Sequence, residues 1–151
     1  MCIRDRPYTD YLIVNETEGG MIAGIEARSE DGGLKREALP EICRKLMALG
    51  VRKCAVVHAP EVGCALDASG NYCEEPSLRL PKGYIVGAVG AGDAFCAGIL
   101  YSIYKKLPMQ EALRIGAASA AANLSASDSI SGLRSIEGVK ELYEKYGVKA
   151  D

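Results

Sequence analysis

The chain has 151 residues, 48 % of them hydrophobic and 25 % charged, with a formal net charge of −2. That suits one soluble domain, or a large part of one, and argues against nucleic acid or an anionic membrane as a partner. Six cysteines (2, 43, 54, 64, 73 and 96) form no Cys-x-x-Cys pair and His58 is the single histidine, which argues against a structural zinc site.

Residues 1–7 show neither periodicity nor a cap signal, and are expected to be a non-native or disordered start. They carry no apolar signal-peptide core, and no apolar run in the chain reaches about 18 residues, so a cytoplasmic protein with reduced cysteines is expected. Residues 11–14, Tyr-Leu-Ile-Val, predict a short buried strand. Residues 15–20, Asn-Glu-Thr-Glu-Gly-Gly, predict a loop. In residues 35–49 the spacing of Leu39, Ile42, Leu46 and Leu49 predicts a helix, with Gly50 as its C-terminal cap. A second buried strand is predicted at 54–59, completing a strand-helix-strand unit with a right-handed crossover.

Residues 63–75 predict a hairpin turning at Ser69, Gly70 and Asn71. A third short strand is predicted near 84–86. A helix at 92–105 then ends before Leu107-Pro108. An alanine-rich helix at 109–125, a polar loop at 125–132 and an amphipathic helix at 136–146 complete the chain.

The turn Val-Gly-Ala-Val-Gly-Ala-Gly-Asp at 86–93 concentrates glycine and one acid where a helix begins. It is not the dinucleotide fingerprint, because Phe95 stands where a third glycine belongs, nor a P-loop, because no lysine follows. One reading is a tight strand-to-helix connection. The other is an anion cradle: free N–H groups at a helix N-terminus attract negative charge, and glycine lets an anion approach the backbone. Asp93 then fits either a cap or a base that takes a proton from an attacking hydroxyl.

Gly-Ala-Gly-Asp at 90–93, the following Ala94-Phe95 and Gly98 resemble the second signature of the ribokinase-like, or PfkB, carbohydrate kinases. Gly87-Ala88 replace the Asp-Thr of that pattern, which weakens support for the cradle and for a nearby monovalent cation such as potassium. Asn15 and Glu18 match the family's Asn-x-x-Glu motif after an earlier strand. In the loop His-Ala-Pro-Glu-Val-Gly only Gly63 matches a Gly-x-x-Gly pattern, and His58 ends the preceding strand.

The resemblance implies a ribokinase-like three-layer α/β fold with a mostly parallel sheet, here its C-terminal half, residues 8–151. An N-terminal sugar-binding and lid half is not visible in the chain, so a fragment inactive by itself is expected. The implied activity is ATP-dependent phosphorylation of a sugar hydroxyl, with Asp93 as general base and Gly90, Ala91, Gly92 and Asp93 as the anion hole. Asn15, His58, Gly63, Gly90 and Gly92 would bind nucleotide. Asn15 and Glu18 would hold magnesium through water, and the alanine-rich helix would wall the adenine. A lone histidine is also commonly structural, and His58 is open to both roles. A nucleoside or small-alcohol kinase, and a non-catalytic nucleotide-binding module, are the alternatives. A homodimer is compatible with the resemblance.

Overall fold

Tyr11–Asn15 forms β1 and Cys54–His58 forms β2, paired in parallel from Tyr11 opposite Cys54 to Asn15 opposite His58. Val62–Asp67 forms β3, antiparallel to β2, and Tyr72–Pro76 forms β4, giving the sheet order β1-β2-β3-β4. The computed structural model describes residues 6–148. Most of the expected non-native start at 1–7 lies outside them, and Arg6–Tyr8 make one 3-10 turn. The chain divides into two units, Met1–Glu74 and Glu75–Asp151.

In the first unit β1 runs straight into a helix, α1 (Glu16–Ala23), where the sequence predicts a loop. The reason is a cap: Asn15 accepts from the Glu18 N–H, and the Glu18 carboxylate accepts from the Asn15 N–H. A short 3-10 turn at Arg36–Ala38 leads into α2 (Leu39–Ala48). Leu39, Ile42 and Leu46 are buried as the spacing predicts, with Cys43 beside them, whereas Leu49, expected in the same stripe, is the exposed C-cap, and Gly50 follows it at φ 114°. The stripe packs on Leu12, Ala55, Val57, Val62, Cys64 and Leu66 of the sheet. Each fully buried Leu or Ile contributes about 1.5–3 kcal/mol.

The expected mostly parallel sheet is corrected: only β1 and β2 run parallel, and the sheet is mostly antiparallel. Three residues, 59–61, link β2 to β3, and Ala59 N–H bonds the Val62 carbonyl across that turn at 2.8 Å. So short a link can only reverse the chain, whereas a parallel partner needs a crossover of about a dozen residues or more. The hairpin to β4 turns where predicted. Asp67 accepts from the N–H groups of Ser69 and Asn71, both at 2.9 Å, and Gly70 sits at φ 84°.

The second unit holds α3 (Ala91–Tyr104), α4 (Met109–Asn123) and α5 (Ile136–Tyr146). The predicted strand at 84–86 is absent: Val86 instead bonds the Leu124 carbonyl at 2.8 Å, at the end of α4. Helices α3 and α4 approach backbone to backbone. A Cβ on Gly98 would lie 2.9 Å from the Gly116 Cα, too near for any side chain. Ile115, Ala118, Ala121 and Ala122 of α4 pack with Val139 and Leu142 of α5 and with Leu78. Glu75, buried at the head of this unit, accepts from Gln110 (2.5 Å), Arg114 (3.2 Å) and the Tyr143 hydroxyl. Full satisfaction is what makes a buried carboxylate tolerable there.

Candidate active site

Three sequence-predicted residues of the first unit stand in one cross-strand row. Asn15 on β1 faces His58 on β2, which faces Gly63 on β3. Glu18 joins them from the first turn of α1 through its reciprocal bonds with Asn15. Gly63 lies inside β3, buried, and not in the loop where the sequence places it. Desolvation holds the His58 pKa below the usual imidazole value, and the negative charges of Glu16 and Glu18 oppose that shift only partly. His58 is therefore neutral at pH 7.

Sequence reasoning missed Arg28. Its Nε donates to Glu16 at 2.7 Å, and its Nη1 and Nη2 donate to the two oxygens of Glu61 at 3.0 and 3.1 Å. Nη1 also reaches the Gly32 carbonyl at 2.8 Å. One guanidinium thereby ties the start of α1, the loop after it and the β2–β3 turn together. Its fork geometry suits this task in a way a lysine would not. Glu16 is buried, so Arg28 is also its neutralising partner, and Glu61 is held below the usual carboxylate range by the Arg28 hydrogen bond.

In the second unit Gly90 caps α3 at φ 82°, ψ 0°, a left-handed conformation that needs glycine. Space demands it as well, since a Cβ there would fall 2.5 Å from the Ser129 Cβ. Ala94 N–H bonds the Gly90 carbonyl at 2.9 Å, and Ala91 N–H reaches the Ala88 carbonyl at 3.3 Å. Among the described residues, the N–H groups of Gly92 and Asp93 take no backbone acceptor. Gly92 and Asp93 are exposed. A helix start with uncommitted N–H groups and an adjacent free carboxylate can bind an anion and accept a proton beside it.

Among the described residues no three His, Cys, Asp or Glu side chains gather to hold a metal directly. Asn15 and Glu18 suit a water-mediated magnesium, an ion that keeps much of its hydration shell. Gly87 and Ala88 bring no side-chain oxygen for a monovalent cation. A Cβ on Gly87 would stand 2.9 Å from the Ala126 carbonyl oxygen, so backbone fills the space where an acidic side chain would begin. Asn15, Glu18, His58 and Gly63 belong to one unit, and Gly90, Ala91, Gly92 and Asp93 to the other.

The fold is that of ribokinase-like proteins. Ribokinase of Arabidopsis thaliana, solved with ribose and ATP, matches with a TM-score of 0.77 at 21 % identity, over 93 % of this chain and 43 % of that one. Ribokinase of Thermotoga maritima gives 0.74 at 19 % identity, over 95 % and 45 %. The pattern of the pfkB family carbohydrate kinases matches residues 2–136, and the chain belongs to that family. The 1-phosphofructokinase of Bacillus subtilis (strain 168) is 51 % identical over 44 residues, 29 % of this chain and 14 % of its own length. Adenosine kinase 1 of Arabidopsis thaliana is 32 % identical over 117 residues, 73 % of this chain and 32 % of its own. The chain thus spans a third or less of these curated relatives. Among the described residues no helix is long and apolar enough to cross a membrane.

Proposed function

We propose that the chain provides the nucleotide-binding and catalytic portion of a cytoplasmic kinase that moves the γ-phosphoryl group of ATP to a sugar hydroxyl. The opening of α3 carries this reading: left-handed Gly90, uncommitted N–H groups at Gly92 and Asp93, and the exposed Asp93 carboxylate beside them. The N–H groups and the positive helix end stabilise the charge spread over the transferred group. Asp93 takes the proton from the acceptor hydroxyl as that oxygen attacks. Asn15 and Glu18 orient the water shell of magnesium, which neutralises charge on the nucleotide phosphates when bound. Neutral His58 and the Gly63 row flank the nucleotide without adding a charge.

The likeness to adenosine kinase 1 supports a second reading, in which the acceptor hydroxyl belongs to a nucleoside. The same residues serve both chemistries. Replacing Asp93→Asn in the complete kinase of which this chain is the proposed catalytic portion tests the mechanism. The carboxamide keeps the shape but not the basicity, so kcat falls about 10²–10⁴-fold while ATP affinity is retained. Near-normal turnover of Asp93→Asn would reduce Asp93 to a helix cap. Assaying a panel of sugars and nucleosides against the unsubstituted enzyme separates the two acceptor classes, and no turnover with any of them would favour a non-catalytic nucleotide-binding module.

A further inference from the structure

We infer that Asn123 is a positioning residue for the phosphate cradle: its buried amide ties the loop 125–132 down behind the glycine turn, so that the loop braces Gly90. The inference rests on reading residues 90–93 as the anion site.

Asn123 is the last residue of α4 and is fully buried. Its Nδ2 donates to the Ser129 carbonyl at 2.8 Å. Its Oδ1 is buried without a partner among the described residues. A half-satisfied buried amide lowers stability relative to an apolar side chain of similar shape, so packing alone does not account for it. The residue it holds is the one that presses on the cradle. The Ser129 Cβ lies 2.5 Å from where a Gly90 Cβ would be, and the Ser129 Cα 2.8 Å.

The same loop touches the turn again further back. The Ala126 carbonyl oxygen and the Ser127 Cα lie 2.9 and 3.0 Å from the Cβ position of Gly87. Val86 N–H bonds the Leu124 carbonyl where the loop begins. Internally the loop is cross-bonded: Asp128 accepts from Ile130 N–H (2.9 Å), Ser131 N–H (2.7 Å) and the Ser131 hydroxyl (2.7 Å). It also folds back over α4, since a Cβ on Gly132 would meet the Ala122 and Asn123 carbonyls at 2.5 and 2.7 Å.

A cross-bonded loop anchored at Asn123 therefore backs the turn from Gly87 to Gly90. The left-handed cap at Gly90 sets where the Gly92 and Asp93 N–H groups point, so bracing it pre-organises the anion site. The turn itself has only Gly87 and Ala88 where an acid and a threonine would otherwise add side-chain support.

The test uses the 151-residue chain and two substitutions. Asn123→Asp keeps the shape but at neutral pH turns an acceptor toward the Ser129 carbonyl. Asn123→Ser is too short to reach it and can satisfy its hydroxyl on its own helix. It is the one to read if Asn123→Asp does not fold. Amide exchange of the ligand-free protein is followed at Val86 and Ala94, with Leu142 of α5 as the reference, and MgATP affinity is measured by calorimetry. Losing one such bond is expected to lower protection at Val86 and Ala94 about tenfold, leave Leu142 unchanged, and weaken MgATP about tenfold.

For Asn123→Asp, MgATP affinity relative to the unsubstituted chain should recover as pH falls, because a protonated carboxyl again donates to the carbonyl. Unchanged protection and affinity in a folded variant would overturn the inference, as would an equal loss of protection at Leu142, the mark of a merely structural role. If the unsubstituted chain does not bind MgATP, the reading of residues 90–93 as an anion site in this chain fails. The exchange data then decide separately whether Asn123 holds the turn.

Discussion

Asn15 and Glu18 hold each other: the Asn15 Oδ1 accepts the Glu18 N–H at 2.8 Å, and a Glu18 carboxylate oxygen accepts the Asn15 N–H at 3.2 Å. A pair assigned to magnesium water is thus already a structural element before any ligand arrives. Stability and metal use are separable here. Asn15→Ala removes the cap and is expected to lower stability by about 0.5–2 kcal/mol in urea denaturation. Glu18→Gln keeps the box, since glutamine serves equally at that position, and should leave the urea midpoint nearly unmoved. It removes the charge proposed to orient magnesium water, so affinity for MgATP should fall while affinity for metal-free ATP stays. Equal losses with and without magnesium would end the metal assignment.

Arg28 offers a sharper stability test. Arg28→Met leaves Glu16 buried beside the capping box with no counter-charge and releases Glu61. The expected destabilisation is about 1.5–3 kcal/mol, in the range for a hydrogen bond to a charged group, because both carboxylates lose their partner but Glu61 is open to water. Arg28→Lys should recover part of it, as a single ammonium cannot bridge both acids with the same fork. Chemical denaturation of the three proteins decides. An Arg28→Met protein as stable as its parent would show the cluster to be incidental.

Much of the fold is readable from pattern because burial imposes period. The Leu39, Ile42 and Leu46 stripe predicts α2, and the apolar runs at 11–14 and 54–59 predict β1 and β2. What escapes the pattern is set by contacts between segments distant in sequence. Helix α1 lacks an apolar stripe and contains Gly19 and Gly20, so only its cap announces it. The antiparallel β3 follows from the brevity of the 59–61 link and not from composition. The Gly90 cap is legible, because so few side chains tolerate that conformation. Arg28 and Asn123 are not: their partners Glu61 and Ser129 are fixed by the folded chain, and nothing in the local sequence marks them.

The Gly90 cap makes a prediction that separates backbone from chemistry. Gly90→Ala must adopt φ 82° and drive its Cβ into Ser129. Left-handed strain alone costs about 1–2 kcal/mol, and the collision adds to it. Gly90→Ala should therefore lower the urea midpoint as well as MgATP affinity. Asp93→Asn, at an exposed position, should leave the unfolding free energy within about 0.5 kcal/mol of its parent. Finding the reverse order in denaturation experiments would show that the turn is not held as described.

His58, the single histidine, makes the last prediction unusually clean. Burial lowers its pKa in the folded protein, so the unfolded chain, with an ordinary value near about 6.5, binds the proton first as pH falls. Protonation then favours unfolding. The contribution of the neutral imidazole is complete above about pH 6.5 and is lost between that value and the lower folded pKa. The slope cannot exceed about 1.4 kcal/mol per pH unit for one group. The carboxylates that the fold holds below their usual range, among them Asp31, Asp67, Asp128 and Glu61, work in a different window. Their contribution is present above about pH 4 and is lost only below it. Urea midpoints at pH 7.5, 6.5 and 5.5 should therefore fall in the parent and stay level in His58→Gln, with both proteins losing stability together only near pH 4. A parent as stable at pH 5.5 as at 7.5 would mean that His58 takes up its proton in the folded state without penalty, and the neutral role proposed for it beside the nucleotide would have to be given up.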